Sequence, residues 1–510
     1  MKKTFFLILI PTLGLSIFYW SSCQKDGVYR PDVLDHIPGN VSFACVFDMA
    51  SLLEKADFEQ LRQQPLYRNF LASIKKDAPF LGTILDNPAA TGIDVQKRCA
   101  LFSVVAKHDP TLLLIVWTLP LKDTLAFTRT AATQLVEIQP HKGGYQIAYF
   151  QGADRQPEMP FVAWNNQVAY IGMRLQSGWP TPLEDDIRNW MYLDPQEALS
   201  AQKHARKALG ASHDLTMWMS LDFASQHPSI RTTATLIDIA PQALKGNWLS
   251  GWYDFARGYS EGSLTFHLKK ELSDDFVARL FKDTPEFDLS AHLPKGKVDV
   301  AISLAFDLLT TDQWLTEHPA TRDFIKSILQ SVHLTIEEAQ GIFGGELLIA
   351  HYTEPDEGLV WGLYVQDIAA LRHSLAAAEA HYLIKARSDN IWEIDLIDVG
   401  DVFFRTGKPI ALLIIQHEIL WLIPQGPLAQ VLTKSQPVVL PRPFRNALKN
   451  HPFGLVLDIA SLKRSSHLLP MEWCTLYTEE NALYNHIRYK EDKKNSLRQL
   501  LDWLQAKYNE

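Results

Sequence analysis

The stretch FACVFDMAS, Phe43–Ser51, sets the reading of the fold. A short apolar run ends in Asp48, and small and apolar residues follow. Related patterns occur at Met217 (MWMSLDFAS), Ala301 (AISLAFDLL) and Phe453 (FGLVLDIAS), with Asp222, Asp307 and Asp458 in the acidic place. Each run has the length and composition of a β-strand. Helical sequence follows the first run (Leu52, Leu53, Phe58, Leu61) and the third (Trp314, Leu315). An aspartate at a strand-to-helix junction accepts from free helix N–H groups, so the four aspartates are expected to be N-caps, not a metal site.

The order of elements between the runs also recurs. Two strands separated by a proline-containing turn (Pro110, Pro355) precede a helix at Lys122–Gln134 in the first half and at Gln366–Ala380 in the second. A hairpin comes next, FVAWNNQVAYIGM at Phe161–Met173 and PIALLIIQHEILWLI at Pro409–Ile423. Each half closes on a strand and a helix, and Leu497, Leu500, Leu501 and Leu504 form a helical stripe in the last one. Strands come in adjacent pairs, not in βαβ alternation. The expected fold is α+β: two tandemly duplicated lobes, 36–290 and 291–510, each a mainly antiparallel sheet with helices packed on one face.

Upstream, Lys2 and Lys3 precede an apolar run, Phe5–Trp20, that ends in Ser21, Ser22 and Cys23. A bilayer span needs about 20 apolar residues, so this shorter run reads as a secretory signal, 1–22. The stretch resembles a bacterial lipoprotein lipobox, with Trp20 in a place usually aliphatic. That resemblance implies lipidation at Cys23, with 23–35 as a tether. CQKDG, Cys23–Gly27, is similar to the Gln-Lys-acidic export signal of Bacteroidota lipoproteins, with Gly27 where a second acidic residue is usual. It implies an outer-membrane address, and the cell surface if the signal is complete.

Together with the opening Ile37-Pro38 and VSFACVFDMASLL (Val41–Leu53), the internal duplication and KKNSLRQLL (Lys493–Leu501), the chain resembles an uncharacterised Bacteroidota lipoprotein family, a domain of unknown function. The resemblance covers nearly the whole mature chain. Its motifs are structural, so it carries over no reaction and no catalytic residue.

The chain has 510 residues, 47% hydrophobic and 21% charged, enough for two cores. The formal charge is −9, and loss of Lys2 and Lys3 makes it two units more negative. With no basic block, nucleic acid is excluded as an expected partner, which leaves the membrane through the anchor, and a glycan or envelope protein. Cys45, Cys99 and Cys474 fit buried thiols, and one pair is left able to form a bridge in an oxidising compartment.

No catalytic signature, phosphate cradle or C-x-x-C is present, so no enzyme and no cofactor is expected. GIFGG, Gly341–Gly345, reads as a turn before a strand, and His417-Glu418 falls in a hairpin turn. Asp185/Asp186 and Asp274/Asp275 read as helix starts. The expected task is a non-enzymatic binding or scaffold module. The alternative is a surface glycan-binding protein. In GNWLSGWYDFARGYSEG, Gly246–Gly262, Trp248, Trp252, Tyr253 and Tyr259 lie among Asp254, Arg257 and Glu261, the residue types that hold sugar rings and hydroxyls. Aromatics usually go to core or lobe contacts, and that is the expected role of these four.

Overall fold

The computed structural model describes residues 33–106, 109–141, 143–150, 161–174, 183–222, 241–269, 281–317, 334–381, 384–395, 410–434, 437–461 and 469–509, with Arg322, Asp323, Lys326 and Leu329. The chain divides into two compact units, one of residues up to Lys269 with Glu491–Glu510, the other Lys270–Lys490.

The strands of the first unit are β1 (Phe43–Phe47), β2 (Cys99–Ala106), β3 (Asp109–Pro120), β4 (Leu135–Pro140), β5 (Gln146–Phe150), β6 (Phe161–Trp164), β7 (Val168–Arg174), β8 (Leu215–Ser220), β9 (Trp248–Phe255) and β10 (Tyr259–His267). Antiparallel pairing gives the order β4-β5-β6-β7-β3-β2-β1-β8-β9-β10. The second unit has β11 (Lys297–Ala305), β12 (Phe343–Glu354), β13 (Gly358–Val365), β14 (Ile384–Ser388), β15 (Ile391–Asp395), β16 (Ile410–Gln416), β17 (Ile419–Pro424), β18 (Phe453–Asp458), β19 (Met471–Glu479) and β20 (Ala482–Tyr489). Its order is β14-β15-β16-β17-β13-β12-β11-β18-β19-β20, again antiparallel throughout. The fold is α+β.

Helices cover both faces of the ten strands in each unit, not one. In the first unit Ala163 and Tyr170 join Trp190 and Leu209 on one side, while Trp164 and Ile171 join Phe80 and Phe127 on the other. In the second, Ile414 packs with Leu428 and Phe444, and its neighbour Ile415 with Leu371 and Leu375. Successive strand residues point to opposite faces. Runs apolar at every position, such as ALLII, therefore bury both.

The aspartates behave mostly as expected. Asp48 accepts from Ser51 N (3.0 Å) at the start of the helix Met49–Lys55, Asp307 from Thr310 N (3.1 Å), and Asp458 from Ser461 N (3.2 Å). Asp123 and Asp367 cap Thr124–Gln134 and Ile368–Ala380 in the same way. Asp222 accepts from the Gly246 amide instead, and the segment it was expected to cap lies outside the described residues.

Further details differ from expectation. Val33 and Leu34, assigned to the tether, are buried in the first core. Gly344 and Gly345 lie inside β12, where the pairing with β13 slips between Phe343 and Leu347. A Cβ on Gly344 would stand 2.1 Å from the Tyr364 ring, so the glycine is what lets that ring lie on the strand. His417 and Glu418 do form the β16–β17 turn, both with positive φ (52° and 61°). The last helix, Ser496–Asn509, belongs to the first unit, and its most buried side chains are Ser496, Arg498, Gln499 and Gln505, not the leucine stripe.

Candidate functional site

The β9–β10 hairpin separates the four aromatic candidates. In β9 the even positions Trp248, Trp252 and Asp254 share one face, and Tyr253 points to the other. There the Tyr253 hydroxyl is 2.6 Å from Ser260 Oγ, and its ring packs with Leu215 and Phe255. The turn through Gly258 (φ 73°) returns the chain so that Glu261 sits opposite Asp254 and Ser263 opposite Trp252. Tyr259 and Glu261 therefore fall on the Trp252 face. A flat platform of all four rings is not formed, because strand alternation removes Tyr253 from it.

Imidazoles lie on the tryptophans. Trp248 stacks on His267 at 3.4 Å between ring centres and 9° between planes, with His204 at 5.1 Å. Trp252 stacks on His213 at 3.9 Å and 5°. Burial, with Lys207 and His204 nearby, pushes the His267 imidazole down to about 4.

His213 opens a polar network that sequence reading missed. Its Nδ1 is 2.7 Å from Asp254 Oδ2, and Asp254 Oδ1 accepts from the Asp214 amide (2.9 Å). Asp214, 2% exposed, accepts from Ser51 Oγ (2.6 Å), from Lys55 Nζ (2.7 and 2.6 Å) and from Phe255 N (2.6 Å). A buried carboxylate demands such partners. Both oxygens of Asp214 are engaged, so the network braces the helix Met49–Lys55 against the start of β8 and the end of β9. Beside it, burial and the Asp254 charge raise the Glu261 carboxyl, against a smaller opposing pull from His213. Burial, Glu261 and Asp254 raise the Tyr259 phenol. The signal available in the sequence was His213-Asp214 just ahead of an apolar strand.

The second unit has buried charges of its own. Asp299 (2% exposed) is 2.6 Å from His351 Nδ1, and Glu346 accepts from Lys282 Nζ and Glu286 N, both at 3.0 Å. His451, two residues ahead of β18, stacks on Tyr477 of β19 at 4.0 Å, as His213 ahead of β8 stacks on Trp252 of β9. Among the described residues no group of three or more His, Cys, Asp and Glu is placed to hold a metal, and no helix is long and apolar enough to cross a membrane.

Cys45, Cys99 and Cys474 are free thiols buried in β1, β2 and β19, and burial pushes all three up, Cys99 to about 12. Asp185 and Asp186 lie in the first turn of the helix Leu183–Met191. Cys23 and Asp274/Asp275 lie outside the described residues.

No protein-family model matches the chain, and no curated protein matches it. Solved structures of a protein designated TP0453 match part of it. Crystal form III has a TM-score of 0.27 and 9% identity, over 47% of this chain and 81% of that one. Crystal form I has a TM-score of 0.25 and 10% identity, over 47% and 80%. A likeness at this level carries no argument about fold or activity.

Proposed function

We propose that the protein is a lipoprotein anchored to the outer membrane through acyl chains on Cys23, and that it works there as a non-enzymatic binding or scaffold module. The observation that carries this reading is the distribution of its cysteines. Three are buried, unpaired thiols within strands, with reactivity suppressed by burial. The fourth, Cys23, follows a leader-like run and two serines. Each buried methylene adds about 0.8 kcal/mol, so two or more acyl chains give stable attachment where one is marginal. The buried Val33 and Leu34 leave residues 24–32 as the link between anchor and body.

We also infer that the two halves are copies of one ancestral lobe and that the chain belongs to the Bacteroidota lipoprotein family it resembles. The identical ten-strand order of the two units supports the duplication, as do the matching caps at Asp48 and Asp307 and at Asp123 and Asp367.

Cys23→Ala tests the anchor. The variant should lose palmitate labelling and move to the soluble fraction. A variant that still labels and still sediments with membranes contradicts the reading.

A further inference from the structure

The first unit is discontinuous in sequence. Residues 270–490 intervene before Glu491–Glu510 return to it. The returning segment touches three places. Along the β9–β10 turn, Gly258 N donates to Lys494 O (2.9 Å), Asn495 Nδ2 to Phe255 O (3.1 Å) and Ser496 N to Ala256 O (2.8 Å). Gly258 is required there, since a Cβ would stand 2.7 Å from Asp492 Cα. At the end of the helix Met49–Lys55, the buried Arg498 donates from Nη1 to Ala56 O (3.1 Å) and Asp57 O (3.2 Å). A guanidinium suits the negative dipole end of that helix, where Ala56 is the C-cap. At the start of the helix Pro65–Asp77, Gln505 Oε1 accepts from Leu66 N (2.6 Å) and Asp502 Oδ1 from Gln64 Nε2 (2.8 Å). Leu497 packs against the Leu215–Tyr253–Phe255 cluster.

One segment thus meets the end of the helix Met49–Lys55 and the start of the helix Pro65–Asp77, and covers a hairpin turn. The Met49–Lys55 helix also carries Ser51 and Lys55, which hold Asp214. We propose that residues 491–510 are a latch that completes the first unit last. The second unit, continuous from 270 to 490, reaches its native pairing without them. The helices of residues 49–77 and the strands β8, β9 and β10 become stable only when the latch closes. Domains usually fold as units, the N-terminal one first. Here the connection reverses the order, whatever the membrane attachment.

Pulsed hydrogen exchange during refolding of the full mature chain tests this. Amides of β12 and β13 should be protected in an earlier phase than those of Phe255, Leu66 and the Pro65–Asp77 helix. At equilibrium, Leu497→Asp should raise exchange at Phe255 and Leu66 roughly tenfold or more, with β12 and β13 unchanged. The milder Gln505→Ala should raise exchange at Leu66 alone. Protection of both units in one phase overturns the proposal. So does a Leu497→Asp effect spread equally over both units, or no change at Leu66 in Gln505→Ala.

Discussion

Lys55 Nζ stands 2.6 Å from Oδ2 of Asp214, a carboxylate that is 2% exposed. Breaking a buried pair by removing one partner leaves an uncompensated charge. Lys55→Met should therefore cost about 3–5 kcal/mol. Adding Asp214→Asn removes that charge and should recover part of the loss, a non-additivity visible in urea unfolding midpoints. Equal midpoints for Lys55→Met and the unmodified chain would mean the brace contributes nothing.

The Trp252–His213 stack gives a second prediction. Truncating a buried tryptophan costs about 3–5 kcal/mol, and the half-buried Trp252 should cost about 2 kcal/mol when changed to Ala. Glycan retention on an affinity gel should not change. Retention that Trp252→Ala abolishes while leaving the unfolding midpoint intact would instead favour a sugar platform on this face.

Acid should weaken the fold through its histidines. The unfolded chain takes up the His267 proton near 6.5, and the folded chain near 4. Between those values the unfolded state binds more protons, so stability falls as pH drops through the window and levels off below 4. Burial depresses His204, His292, His451 and His486 in the same direction. Urea midpoints should therefore decline from pH 7 to pH 4.5, and His267→Gln should flatten the decline. A flat profile in the unmodified chain would contradict this.

Much of this architecture is legible in the sequence, and the illegible parts have physical causes. Asp48, Asp307 and Asp458 were readable as caps because a cap is local, with donor and acceptor three residues apart. The hairpins at Asn165 and at His417-Glu418 were local as well. The faces of the sheets were not legible, because a run such as ALLII does not say what covers it. The His213–Asp254 contact joins residues 41 positions apart, and alternation shows which residues share a face only once the turn is known. The latch was hidden for a related reason. The leucines of Ser496–Asn509 carry the helical periodicity, whereas Arg498, Gln499 and Gln505 make the buried contacts. The proposal for Cys23 rests on its sequence neighbours alone, and the residue lies outside the described residues.

The anchor can be tested on the natural protein without any substitution. Mass spectrometry of the N-terminal peptide of the membrane-extracted chain should find Cys23 as the first residue, carrying a diacylglycerol thioether, with residues 1–22 removed. An N-terminal peptide that begins at Met1, or an unmodified Cys23 in the mature chain, would contradict the lipoprotein reading directly.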